Sequence, residues 1–150
     1  MRVIQIILTC LFIFSFSKTV ASNADTKYRV IKNDRIEVEW VIIQEDYYSF
    51  GKGSVVVLLK HKTTKEQIRL TANEIRNTGN RKEYNPFFMS YYLPGMKVNA
   101  GSYASSHFDP GLDVKIYETN LELNPPATDS VKIDKLFEQA KSKGSTKEFY

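Results

Sequence analysis

The stretch 102–111, SYASSHFDPG, gathers Ser105, Ser106, His107 and Asp109 within five positions, which are the residue types of a hydrolase triad. Triad members converge on one reacting atom from separate elements of a fold, whereas neighbours on one short segment point in different directions. Asp109-Pro110-Gly111 is also ordinary turn chemistry. A catalytic zinc needs three protein ligands, and His107 with Asp109 supplies only two. His107 and Asp109 therefore stand as weak catalytic candidates, and no metal or cofactor is expected. His61 sits among lysines in HKTTK, where a solvated imidazole is the expectation. Carboxylates are not paired by spacing: Glu37 and Glu39 share the outer face of an extended run, and Glu45-Asp46 and Glu118/Glu122 fall near element ends. Gly51-Lys52-Gly53 lacks the spacing of a phosphate-cradling loop.

Aromatic side chains are more plentiful than catalytic ones. Five rings fall within 85-NPFFMSYYLPGMKVNAGSYA-104, and Tyr47-Tyr48-Ser49-Phe50 adds three more. Trp40, Phe87, Tyr91 and Phe137 are expected in the core. Consecutive aromatics on an extended chain, however, lie on opposite sides of it. Unless both faces of the sheet are covered, Tyr48, Phe88 and Tyr92 meet solvent or a partner. Tyrosine presents a large rigid body with one polar end, the character that dominates protein interfaces. Tyr47, Tyr48, Phe88 and Tyr92 are the expected binding residues.

The chain opens with MRVIQIILTCLFIFSFSKTVASNA: Arg2, an apolar run over 3–16, then small residues. This is the layout of a cleaved secretory signal over 1–24, with cleavage after Ala21 or Ala24. The run is shorter than the ~20 apolar residues that cross a bilayer core, so no transmembrane segment is expected in the mature chain. Cys10 lies inside the apolar run rather than closing it, which argues against lipid attachment. Its removal leaves no thiol and no disulfide, a pattern that favours a bacterial periplasm or cell surface over a disulfide-stapled secreted domain. Loss of Arg2 and Lys18 takes the 21 basic residues to 19 against 17 acidic ones, a net charge of +2 with no nucleic-acid footprint.

The remaining ~126–129 residues are enough for one domain with a real core. Ile36, Val38, Trp40 and Ile42 alternate with polar residues, the period of a half-buried strand. SVVVLL (54–59) favours a central strand, with Ile68 and Leu70 returning as its hairpin partner. A helix over 66–76 is the competing reading of KEQIRLTANEIR. Residues 87–93 and 112–116 read as further strands, and Leu121 and Leu123 as a continuation. After Asn124-Pro125-Pro126, Ile133, Leu136, Phe137 and Ala140 recur at helical spacing. The expected architecture is mainly β: a single-domain β-sandwich or partly open barrel of about six or seven strands over 27–124, one C-terminal helix over 128–144, and a tail at 145–150.

The functional expectation is an exported, periplasmic or extracellular, non-catalytic binding protein. An inhibitor or immunity protein, an assembly accessory or a ligand-holding module would fit. It would engage another exported or envelope protein through strand edges and surface aromatics. The alternative is a small secreted hydrolase acting on cell-wall glycan or an ester, using His107 with Asp109 or Glu45. A carbohydrate-binding module would instead show coplanar exposed rings, Tyr47 or Tyr48 among them, along a groove.

Overall fold

The computed structural model of the chain describes residues 28–33 and 36–144, with side-chain surroundings from Val38 onward. The leader expected over 1–24 and the tail at 145–150 lie outside the described residues.

Six strands form one open mixed sheet in sequence order: β1 (Tyr28–Asn33), β2 (Ile36–Tyr47), β3 (Gly53–Leu59), β4 (Phe87–Tyr92), β5 (Ala104–Phe108) and β6 (Leu112–Ile116). All neighbours are antiparallel except β3 and β4, which run parallel. Parallel neighbours need a crossover, and helix α1 (Lys65–Arg76) provides it. The expected hairpin return at Ile68 and Leu70 is thus corrected to helix. Ile68, Thr71, Ala72 and Ile75 are buried at the three-four spacing of a helix face. Its start is fixed by a capping box. Thr64 Oγ1 accepts from the Gln67 amide at 3.2 Å, and Gln67 Oε1 accepts from the Thr64 amide at 2.7 Å.

Helices, rather than a second sheet, supply the other layers, so the sandwich or barrel expectation gives way to an open sheet with helices on it. Strand register defines the two faces. One carries Trp40, Ile42, Val55, Val57, Leu59, Phe87, Met89, Tyr91, Ala104 and Val114, all buried, and α1 packs on this side. The expected core residues Trp40, Phe87, Tyr91 and Phe137 are all buried. The opposite face carries Val41, Leu58 and Tyr92 at one end, where α3 (Ser130–Gly144) lies against β2. Lys60 ties α3 down through Glu39 and Asp134, both at 3.0 Å.

The expected strand continuation through Leu121 and Leu123 is instead a short helix, α2 (Asn120–Leu123). Asn120, which opens it, and Asn124, which follows it, have a structural task. Asn120 Nδ2 donates to the Ser102 carbonyl at 2.8 Å. Asn124, buried just after α2, accepts from the Lys97 amide and donates to the carbonyls of Lys97 and Gly101. These bonds pin the 93–103 connection, and with it the backbone amide of Asn99, which donates to the Tyr92 hydroxyl at 3.1 Å.

Candidate binding surface

The β2–β3 hairpin turns over Ser49, Phe50 and Gly51. The Tyr48 amide donates to the Lys52 carbonyl at 2.9 Å, and the Gly51 amide to the Tyr48 carbonyl at 3.0 Å. Gly51 has φ +83°, the left-handed conformation that closes a three-residue hairpin loop and that glycine adopts without strain. This turn sets Tyr48 and Lys52 opposite each other on the α3 side of the sheet. Phe50 is left at the tip, 74% exposed. Tips favour glycine, asparagine, aspartate and serine, so a phenylalanine there runs against local preference.

One strand beyond the hairpin, Gly53 lets Phe87 approach closely: a β-carbon at 53 would meet the Phe87 ring at 2.6 Å. That approach seats β4 beside β3, and register then sets Asp46, Ser54, Phe88, His107 and Asp113 in one row across the α3-side face. The next row is Gln44, Val56, Ser90, Ser105 and Lys115. Phe88 is 37% and Tyr48 44% exposed. The rings are organised. Tyr48 and Phe50 stack at 5.4 Å, and Phe88 stacks with His107 at 5.7 Å. The Lys52 ammonium lies over both sets, 5.8 Å from the Tyr48 ring and 5.1 Å from the Phe88 ring, within cation–π range.

Of the four expected binding residues, Tyr48 and Phe88 meet here. Tyr92 does not: it is 5% exposed beneath the pinned 93–103 connection. Tyr47 lies on the other side of β2, its ring tilted against that of Tyr84 at 4.6 Å and its hydroxyl donating to Glu45 Oε2 at 3.2 Å. Burial, followed by the Glu45 charge, pushes its phenol up to about 12. Sequence reading missed Phe50, Lys52 and His107 as members of this surface. A phenylalanine at a turn tip beside Gly51 was the available signal for the first.

The hydrolase candidates are distributed rather than gathered. Ser106 is buried on the α1 side with its hydroxyl 2.9 Å from that of Tyr91. Ser105 and His107 face the other way, and Ser105 bonds to the Tyr117 hydroxyl at 2.9 Å. Asp109 is exposed in the β5–β6 turn, and no hydrogen bond joins it to His107 among the described residues. Strand alternation alone separates neighbouring serines in this way. Among the described residues, no group of three or more His, Cys, Asp or Glu could hold a metal ion, and no helix is long and apolar enough to cross a membrane.

A cleft of about 350 Å³ lies beside Lys60, His61, Lys62 and Glu39, a volume within the small-ligand range. Its lysines are already committed, however. Lys60 is hydrogen-bonded by Glu39 and Asp134, which hold it protonated above the ordinary lysine range, and Lys62 reaches Glu118 at 3.5 Å. Geometry favours the aromatic surface over this cleft, because recognition groups are unspent there. Compared with known protein families, with curated proteins and with solved structures, the chain matches none.

Proposed function

We propose that this chain is an exported, non-catalytic binding protein that holds a protein partner against the β2–β3 hairpin tip and the adjoining open end of the sheet. One observation carries the reading: Phe50, 74% exposed at the tip of a well-formed turn, is framed by Tyr48, Lys52 and Phe88. A rule of local preference broken by a side chain left mostly in solvent is a mark of function. Covering a phenylalanine side chain with a partner contributes about 1.5–3 kcal/mol, so two or three such rings are enough to anchor an interface. Tyr48 and Phe50 stack on one another instead of lying side by side, which suits a protein surface better than a sugar platform.

The test is site-specific photo-crosslinking in the native host. A photoreactive phenylalanine at position 50 or 88 is expected to capture a discrete partner. The same group at Val131, equally exposed but on α3, is expected to capture none. Equal capture from all three positions would remove the surface from consideration. Export has its own check: the amino terminus of the protein isolated from its host is expected at Ser22 or Asp25.

A further inference from the structure

We infer that the partner presents a carboxylate to Lys52, so that the surface reads an acidic segment flanked by apolar or aromatic side chains; this rests on the protein-binding reading above. Lys52 is held differently from the other lysines. Lys60, Lys62 and Lys115 each reach a carboxylate, at 3.0, 3.5 and 3.6 Å. Lys65, Lys82, Lys97, Lys132 and Lys135 have none among the described residues but stand exposed, where water solvates the charge. Lys52 is half-buried, and its ammonium faces two rings with no carboxylate among the described residues.

The acids nearest in register are occupied. Asp46 accepts from Gln44 Nε2 at 2.8 Å, and Asp113 lies 3.6 Å from Lys115. The rings of Tyr48 and Phe88 fix the ammonium but accept no hydrogen bond of normal strength from its three N–H groups. A carboxylate arriving from outside would complete those donors in a site that the partner itself dries. There a charged hydrogen bond is about twice as strong as a neutral one. Phe50 and Phe88 would meanwhile cover the apolar neighbours of that carboxylate. A single ammonium with no arginine fork beside it fits one carboxylate better than a phosphate, which draws several donors.

The probe is a library of random dodecapeptides displayed on phage, selected against the full mature chain and, separately, against Lys52→Met, Lys52→Glu and Phe50→Ser/Phe88→Ser. The expected outcome is enrichment of Asp and Glu next to aromatic residues on the unaltered protein. Enrichment should disappear on Lys52→Met and shift towards Lys and Arg on Lys52→Glu. A selected peptide remade with Asn or Gln for its acid is expected to bind about tenfold more weakly, with the difference shrinking at high salt as screening requires. Acid enrichment that persists on Lys52→Glu, or none on the unaltered chain, overturns the carboxylate inference while leaving the surface in place. Selection indifferent to Phe50→Ser/Phe88→Ser would instead overturn the surface itself. Unchanged circular dichroism and melting temperature establish that each variant is folded.

Discussion

Tyr47 and Tyr48 are consecutive residues on one strand, and the sheet between them separates two aromatic–cation clusters of opposite character. On the α1 side, Tyr47 packs at a tilt against Tyr84 and bonds to Glu45, which pairs with the buried guanidinium of Arg81. Arg76 lies over the Phe87 and Phe108 rings at 5.1 and 5.2 Å and donates to the carbonyls of Arg81, Lys82 and Tyr84. On the α3 side, Tyr48, Phe50, Lys52, Phe88 and His107 again combine rings with a cation, and among the described residues Lys52 reaches no carboxylate. Arg76 and Arg81 hold the 77–86 connection in place through carbonyl acceptors and Glu45, although the buried Arg81 Nε itself has no acceptor among the described residues. What separates the two clusters is therefore not residue type but the ion pair and carbonyl bonds that the α1-side cations make and that Lys52 lacks among the described residues.

The sharpest way to break this comparison is to truncate one neighbour on each side. Phe87→Ala removes a fully buried ring and is expected to cost about 3–5 kcal/mol, read by urea denaturation. Phe88→Ala is expected to cost well under 1 kcal/mol, as for a surface substitution, yet to abolish photo-crosslinking from position 50. Equal stability losses would mean that the two faces are not divided as described.

Arg81→Met comes next. It leaves Glu45 partly buried without its cation, and breaking such a pair destabilises by about 3 kcal/mol. Lys52→Met, on the other face, should leave the melting temperature within about 2 °C of wild type.

Alkaline pH gives a smaller contrast. Tyr47 has its folded pKa raised from 10.0 to about 12, so the neutral phenol is favoured in the folded state. Its contribution to stability is complete below pH 10 and is lost as the pH rises towards 12, because the unfolded chain ionises first. Tyr47→Phe should shrink the fall in stability between pH 9.5 and about 11.5 without removing it, since burial also raises Tyr91 and Tyr103. Identical slopes in the two proteins would assign the alkaline loss elsewhere. Smallest of all is Lys115→Ala. Its 3.6 Å pair with Asp113 is solvent-exposed, and the expected change is about 0.5 kcal/mol or less.

Much of the sheet was legible in advance because alternation is local. The runs at 36–42 and 112–116 alternate, 54–59 is a β-branched apolar run, 87–92 sets apolar residues on both sides of an extended chain, and each is a strand. The 65–76 segment was harder, since Ile68 and Leu70 satisfy a short alternation while Ile68, Ala72 and Ile75 satisfy a helix. Thr64 and Gln67 break the tie, and that capping pair was present in the sequence all along. Tyr92 was not legible. Its burial depends on Asn124, whose side chain reaches back 27 positions to Lys97, and no local pattern announces such a bond.

Composition and periodicity by themselves determined that this chain is rich in strand, thiol-free beyond Cys10, furnished with aromatics on both sides of its strands, and closed by an amphipathic helix. They could do so because strand and helix periods are properties of adjacent residues. Which aromatics face water was decided only by the tertiary structure. The α1 crossover made β3 and β4 parallel neighbours and brought Phe88 beside Lys52, while the 93–103 connection, pinned by Asn120 and Asn124, covers Tyr92. Exposure depends on what the rest of the chain covers, and that is settled only when distant segments meet.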